Sequence, residues 1–314
     1  MLRMGKIQLF FRLLMAAFTI LFLPALAQKP FMKEINLPAE FSDCTINEVL
    51  QSDEGFLYFA TVCGLFRFDG IRFEPVKTRL SGVDIRAVFQ DRSGVIWTGS
   101  QGGVIAKFDP RRYNDAEIIR TVGEGDISGI AQDSSGRMWF SAYGLGVCYR
   151  ESDSIIHLGT EDGLADVFIY DILADRHGNI WVGSDAGIDI LRLEEGNVFI
   201  DDLDVNDGLP DMMILSLSAD SAGNILAGGY NNGICSIDPV SKKIKQISVN
   251  WDYGPVTDIL DGFSFFWIAT ESQGLVRHSK EMQKIDLYNR LNGIAMIRPN
   301  GLLRDSEGNI WIYG

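Results

Sequence analysis

One phrase recurs seven times along this 314-residue chain: an apolar strand ending in Asp, a tight turn closing on Gly, then Trp or a stand-in and a small-residue exit. Clear copies are Phe89-Gln90-Asp91-Arg92-Ser93-Gly94-Val95-Ile96-Trp97-Thr98-Gly99-Ser100 and Leu173-Ala174-Asp175-Arg176-His177-Gly178-Asn179-Ile180-Trp181-Val182-Gly183-Ser184. Others centre on Trp139, Trp267 and Trp311, and Tyr58 and Leu226 take the Trp slot in two weaker copies. From Tyr58 onward the slots lie 39, 42, 42, 45, 41 and 44 residues apart. A unit of about 42 residues, built of short β-branched and aromatic runs between Gly and Asp turns, holds four strands of ordinary length. That is one propeller blade, and the expected fold is all-β, a seven-bladed β-propeller of four-stranded blades.

Each unit also spells its strand order. Strand A alternates, with Ile85, Ala87 and Phe89 set against Arg86, Val88 and Gln90, so at least one of its faces is buried. Asp-x-x-Gly then makes the A-to-B turn, Asp capping the backbone and Gly supplying positive φ. Strand B carries the Trp, strand C opens at Gly64-Leu65, Gly103-Val104, Gly187-Ile188 and Gly274-Leu275, and strand D is the least regular. Asp-x-x-Gly-Asn has the look of a calcium loop, but the further carboxylates and closing Glu that such a loop needs do not follow. Five Trp at one structural slot fill the space between blades rather than form a ligand cage.

Residues 1–27 read as a signal peptide: Arg3, Lys6 and Arg12 precede an apolar run from Leu13 to Leu23, and Ala25-Leu26-Ala27 supplies the small residues before cleavage. The alternative, a single membrane anchor, meets a core that is short for a span and is interrupted by Pro24. No Cys follows the cleavage site, which argues against lipoprotein processing. Removing that segment takes away three basic residues and no acidic one, so the formal charge moves from −14 to −17. Such a surface repels nucleic acid and offers anionic lipid no basic patch. Residues 28–314 then form the propeller domain, six complete units and the start of a seventh.

The four cysteines sort by position. When blade strands alternate in direction, the start of A and the exit of B share a rim; Cys44 precedes strand A of the first unit and Cys63 sits in its B-to-C turn. The pair is a candidate disulfide in an oxidising periplasm, with two separate thiols as the alternative. Cys148 and Cys235 each follow a strand C Gly by two residues, in units three and five, and are expected as buried free thiols. No Cys-x-x-Cys or Cys/His cluster points to a metal, and no cofactor is expected.

Catalysis finds little support. His177 lies in an A-to-B turn, and His157 and His278 lie in different units without a partner motif. A propeller lyase similar to the streptogramin-inactivating enzymes would need a His and carboxylate site at the central mouth, which the sequence does not spell. Gly-x-Ser-x-Gly, phosphate-cradling and HExxH motifs are missing, so no catalytic residue is assigned. Binding is the better reading. The D-to-A and B-to-C loops share the rim around the channel mouth, and the ligand candidates there are Arg86, Tyr143, Tyr170, Tyr230, Asn231, Asn232, Trp251, Tyr253 and Glu271. Planar rings beside amides and carboxylates suit sugar recognition, most visibly at Tyr230-Asn231-Asn232 and in the loop around Trp251 and Tyr253. The plainer alternative is that Trp251 and Tyr253 pack between blades.

Phe56-Leu57-Tyr58-Phe59-Ala60-Thr61-Val62-Cys63-Gly64-Leu65-Phe66-Arg67-Phe68-Asp69-Gly70 resembles the opening unit of the two-component regulator propellers, with Tyr58 for the usual Trp and Ala60 for the usual Gly. The phrase before strand A also recurs, as Glu161-Asp162-Gly163-Leu164 and Asn206-Asp207-Gly208-Leu209-Pro210. The resemblance runs from about Phe31 to the last residue. It implies a periplasmic sensor region, responding to a glycan or its breakdown product and signalling as a homodimer to a cytoplasmic histidine kinase in a phosphorelay. The whole receptor would be anchored in the inner membrane. Alternatives are a secreted propeller binding glycan or protein without a kinase, and the sensor of a diguanylate cyclase receptor. The chain stops at the exit of strand B of the seventh unit, which reads as a truncation. Phe31–Leu37 is expected as the outer strand of that last blade, leaving a gap where its strand C would lie.

Overall fold

The computed structural model describes residues 32–77, 82–112, 115–120, 123–248, 250–281, 284–291, 294 and 298–314. Residues 1–27, read as a signal peptide, and Phe31 lie outside these. Met1–Ile35 and Asn36–Gly314 are two separate units, and the fold below is that of Asn36–Gly314.

Asn36–Gly314 holds six four-stranded antiparallel sheets in sequence order and one sheet of two strands. Blade one is β1 (Ile46–Gln51), β2 (Leu57–Thr61), β3 (Gly64–Phe68) and β4 (Phe73–Pro75). Blade two is β5 (Ile85–Gln90), β6 (Ile96–Ser100), β7 (Val104–Phe108) and β8 (Glu117–Arg120). Blade three is β9 (Asp126–Gln132), β10 (Met138–Tyr143), β11 (Gly146–Glu151) and β12 (Ser154–Leu158). Blade four is β13 (Ile169–Ala174), β14 (Ile180–Ser184), β15 (Gly187–Glu194) and β16 (Asn197–Leu203). Blade five is β17 (Ile214–Ala219), β18 (Ile225–Gly229), β19 (Ile234–Ile237) and β20 (Ile244–Gln246). Blade six is β21 (Val256–Asp261), β22 (Phe265–Thr270), β23 (Gly274–Ser279) and β24 (Ile285–Tyr288). β25 (Gly301–Arg304) and β26 (Ile310–Tyr313) pair alone.

The expected six complete units and start of a seventh correspond to six four-stranded sheets and one two-stranded sheet; the described residues form six full blades, not seven. Residues 32–38 form no strand, contrary to the outer-strand expectation. The reason is register: an outer strand pairs with a strand C, and β25–β26 supplies only the inner half of a blade.

The core lies between blades. The side chains in five of the Trp slots pack on the inner strand of the next blade: Tyr58 on Ile85 and Val88, Trp97 on Ile127, Trp139 on Ile169 and Ile172, Trp181 on Ile214, and Leu226 on Val256. Trp311 repeats this across the junction between the two-stranded sheet and blade one, edge-on to Phe59 and Phe68. The inner strands thus neighbour one another in the cyclic order β1, β5, β9, β13, β17, β21, β25 and back to β1.

Polar bonds repeat with the same period. Each inner strand of the six full blades is bulged, leaving Asn47, Arg86, Ser128, Tyr170, Leu215 and Thr257 unpaired across the ladder. A bulge re-aims its side chain, and here three of them donate to a carbonyl of the next blade: Asn47 to Ile85 at 2.8 Å, Ser128 to Ile169 at 2.9 Å and Thr257 to Pro299 at 2.7 Å. Asn300 makes the same bond to Ile46, at 2.9 Å, and so joins the last sheet to the first. On the opposite rim the Ser306 N–H donates to Gln51 Oε1 at 2.6 Å, as Asp53 N–H does to Gln90 and Arg92 N–H to Gln132.

Cys44 and Cys63 are disulfide-bonded, with Cα atoms 5.7 Å apart, tying the start of β1 to the β2–β3 turn. Cys148 and Cys235 are free and buried, and burial pushes each thiol up to about 12. Among the described residues no helix is long and apolar enough to cross a membrane.

Candidate functional site

The B-to-C and D-to-A loops meet on one rim, as the topology requires: Gly144 N–H donates to Val167 O across blades three and four at 3.0 Å, and Gly102 N–H to Asp126 Oδ1 across blades two and three at 2.9 Å. Contacts sort the nine rim candidates into three groups. Arg86 stands between Asp84 at 3.1 Å and Asp126 at 3.4 Å, so its charge is already matched within the chain.

Tyr143 and Tyr170 come together, with ring centroids 5.6 Å apart, and Phe168 joins them 5.2 Å from Tyr143. Tyr143 and Phe168 remain 43% and 42% exposed, so two aromatic faces open to solvent. The Tyr170 hydroxyl donates to Asp185 at 2.8 Å. Burial and that hydrogen bond push the Tyr170 phenol well up, so it stays a donor. Phe168 and Asp185 were not among the sequence candidates; Asp185 sits in the B-to-C turn after Gly183-Ser184, one blade on from Tyr143, and could have been found by aligning the turns.

On blades five and six, Asn231 N–H donates to Asp211 at 2.5 Å, the Asn232 amide donates to Pro210 O at 2.8 Å, and Tyr230 keeps an exposed ring. Trp251 and Tyr253 are half-buried, edge-to-face at 5.0 Å, and pack on the Leu226–Val256 cluster, while Trp251 donates to Gly254 O at 2.7 Å. Glu271 is exposed, its backbone N–H tied to Pro255 O at 2.9 Å. Trp251 also lies against Gly233, where a Cβ would come within 2.9 Å of its ring. These contacts match the interblade packing alternative for Trp251 and Tyr253.

A second feature escaped the sequence reading. The residue just past each inner-strand bulge faces the next blade near the axis, and in blades one, four and six it is Glu48, Asp171 and Asp258. Each carboxylate accepts a backbone N–H of the following inner strand at 2.7 Å: Val88 for Glu48, Leu217 for Asp171 and Leu302 for Asp258. Asp171 and Asp258 also take the N–H of Ile172 and Ile259, both at 2.7 Å. Burial pushes Glu48 up to about 8, Asp171 to about 7 and Asp258 to about 6, against the pull of those N–H groups. The negative charges add to this, Asp171 and Asp258 acting on Glu48 and Asp258 on Asp171. All three residues are half-buried. The legible clue was a lone carboxylate amid apolar residues in strand A, as in Tyr170-Asp171-Ile172.

On the opposite rim an open groove of about 640 Å³ between blades two and three is lined by Arg92, Arg137, Arg150, Gln132 and Trp97. Arg137 pairs with Asp133 at 3.4 Å, and Arg150 with Asp153 at 3.5 Å and Glu117 at 3.8 Å. Among the described residues one group could hold a metal: donor atoms of His157, Glu161 and Asp162 lie within 4.8 Å of one another, though the sequence had shown no partner for His157. Both carboxylates are exposed, Asp162 caps Gly159 N–H at 2.9 Å, and His157 Nε2 is bonded to Leu145 O at 2.5 Å. None of the three histidines stands on an inner strand.

Residues 163–186 match the family described as Two component regulator propeller. No curated protein sequence matches the chain. Among solved structures, the extracellular domain assigned to the hybrid two component system BT4673 of B. thetaiotaomicron is 21% identical, with a TM-score of 0.74 over 90% of this chain and 39% of that one. The corresponding BT3049 domain from the same organism is 20% identical, with a TM-score of 0.71 over 89% and 40%. Virginiamycin B lyase from Staphylococcus aureus is 15% identical, with a TM-score of 0.71 over 90% and 94%. These likenesses establish the propeller fold. The chain spans about two fifths of the length of the two extracellular domains it matches.

Proposed function

We propose that this chain, which belongs with the two component regulator propellers through its repeat at residues 163–186, is part of the extracytoplasmic sensor region of a signalling receptor. Its channel rim would bind an oligosaccharide or a breakdown product of one. The observation that carries the reading is the exposed aromatic shelf of Tyr143 and Phe168 beside Tyr170 and Asp185, where ring faces and a carboxylate stand together as sugar recognition requires. The Cys44–Cys63 disulfide favours an oxidising compartment. The two B. thetaiotaomicron neighbours are named as extracellular domains of two component systems, which supports the same placement.

In this reading β25–β26 is the inner half of a seventh blade, and a homodimeric receptor passes the signal to a cytoplasmic histidine kinase. Arg86, Tyr230, Asn231, Asn232 and Glu271 form the remainder of the rim available to a ligand, whereas Trp251 and Tyr253 support it from below. The alternative of a free-standing secreted binder uses the same rim. A lyase reading draws on the fold of the S. aureus neighbour alone, and the positions of His157, His177 and His278 off the inner strands count against it.

A thermal-shift screen of the chain against neutral and acidic oligosaccharides and against peptides tests the proposal. A rise in Tm with an oligosaccharide is expected; a response to peptides only would replace the glycan reading.

A further inference from the structure

The three rings of the rim shelf stand at angles to one another. Tyr143 is tilted 57° from Phe168 and 59° from Tyr170, with ring centroids 5.2 and 5.6 Å away. Rings set at such angles form a notch rather than a flat platform, so a sugar stacked on one of them brings a substituent against another. Gly144 adds no side chain beside the notch; a Cβ there would stand 3.6 Å from the Phe168 ring.

The carboxylates around the notch give it one sign of charge. Asp126 lies across the ladder from Tyr143, Asp166 accepts the Phe168 N–H at 2.7 Å, and Asp185 accepts the Tyr170 hydroxyl at 2.8 Å. Asp126 is already matched by Arg86 and by the Gly102 N–H. Asp185 is half-buried, and its second oxygen has no hydrogen-bond partner among the described residues.

Elsewhere the chain covers its aromatic faces with its own cations. Lys107 lies 5.4 Å from the centre of the Trp97 ring, Arg137 5.6 Å from Tyr149, and Arg277 5.6 and 5.5 Å from Trp267 and Tyr288. Each of these cations is also paired with a carboxylate, Glu117, Asp133 and Asp286 in turn. Among the described residues no Arg or Lys lies over Tyr143, Phe168 or Tyr170. The shelf therefore presents the rings and the carboxylate of this recurring arrangement without a cation from the chain.

We infer that the notch recognises a protonated amine, and that the rim ligand is an oligosaccharide carrying an amino sugar. The inference rests on the glycan reading above and names the ligand class. The ammonium group would lie against the faces of Tyr143 and Phe168, attracted by their π electrons, with Asp185 as its counter-charge from the Tyr170 end. A hydroxyl in place of the amine keeps the stacking and loses the charge. A uronate would meet Asp166 and Asp185 as like charges.

Calorimetric titrations with cellotetraose and with fully de-N-acetylated chitotetraose, at mildly acidic pH where the amines hold their protons, test the inference. The two probes differ only at C2 of each sugar, hydroxyl against ammonium. The amino form is expected to bind about tenfold or more tightly. Asp185→Asn, which can still accept the Tyr170 hydroxyl, is expected to bring the two affinities close together. Phe168→Leu removes a π face at an exposed position and is expected to lower the same ratio, so the test stands even if Asp185→Asn does not fold. A general attraction to this acidic chain would survive the loss of one carboxylate, so a preference that persists in both variants overturns the inference. So does an affinity for cellotetraose equal to or greater than that for the amino form. Failure of both probes to bind would instead overturn the glycan reading on which the inference rests.

Discussion

The indole N–H of Trp139 donates to the carboxylate of Asp133 at 2.9 Å, across the whole A-to-B turn. The same bond joins Trp97 to Asp91, Trp181 to Asp175 and Trp311 to Asp305 at 2.8 to 2.9 Å. The other carboxylate oxygen takes two N–H groups of the turn, from Ser135 and Arg137 in the case of Asp133. One side chain therefore fixes the turn and the Trp rotamer together, and the Trp in turn packs on the next blade.

This makes the turn Asp worth more than an ordinary cap. Asp133→Ala is expected to lower the unfolding free energy by about 3 kcal/mol, since it strands a buried indole N–H as well as the turn. Asp207→Ala, which removes an exposed loop cap, should cost about 1 kcal/mol or less. Urea unfolding of the two variants checks the order.

Stability should fall on the alkaline side of a mildly acidic optimum. Asp189 is fully buried, accepts the Ala165 N–H at 3.2 and 3.3 Å, and burial pushes it up to about 7. A carboxyl raised in the folded state favours folding below its unfolded pKa of about 4, and that contribution is lost as the pH rises through the folded value. Glu48, Asp171 and Asp258 act in the same direction. Asp91, Asp133 and Asp305 act oppositely: burial raises them, but the hydrogen bonds from the turn and the Trp outweigh it and hold them low, so their contribution disappears as the pH falls below about 4. Melting in EDTA between about pH 5 and pH 8.5 should show a falling Tm, less steep in Asp189→Asn. A Tm that rises over this range would contradict the assignment.

The cysteines predict a labelling pattern. The native chain should leave Cys148 and Cys235 unreactive toward a thiol reagent, because burial suppresses the thiolate. Unfolding should expose these two thiols, and reduction should release Cys44 and Cys63 and lower stability by about 3 kcal/mol. Counting thiols by mass before and after each step decides it.

Trp251 should behave as a packing residue. Trp251→Ala is expected to cost about 3 kcal/mol, and Tyr230→Ala well under about 1 kcal/mol. Comparing the two melts separates support from surface, because Trp251 lies on the Leu226–Val256 cluster and the Tyr230 ring faces solvent.

Much of the fold was legible because the repeat writes local and long-range information in the same residues. Asp-x-x-Gly fixed the turn, the Trp slot fixed the blade period, and the strand C Gly marked the next reversal. What alternation could not show was the inner-strand bulge, which turns Asn47, Ser128 and Thr257 toward the next blade and places Glu48, Asp171 and Asp258 near the axis. One unpaired residue reverses the face of everything before it. The rim was legible in outline, since loop topology placed Tyr143 and Tyr170 on one side. The contacts of Tyr143 with Phe168 and Tyr170 cross from blade three to blade four and are invisible within a single unit.

The loop rim, and not the opposite rim, is the surface proposed to meet a glycan. This is tested by titrating an oligosaccharide from the thermal-shift screen into the unmodified chain, Tyr143→Ala and Arg92→Ala. Affinity is expected to fall about tenfold or more in Tyr143→Ala and to stay unchanged in Arg92→Ala. Binding that survives Tyr143→Ala and disappears with Arg92→Ala would contradict it.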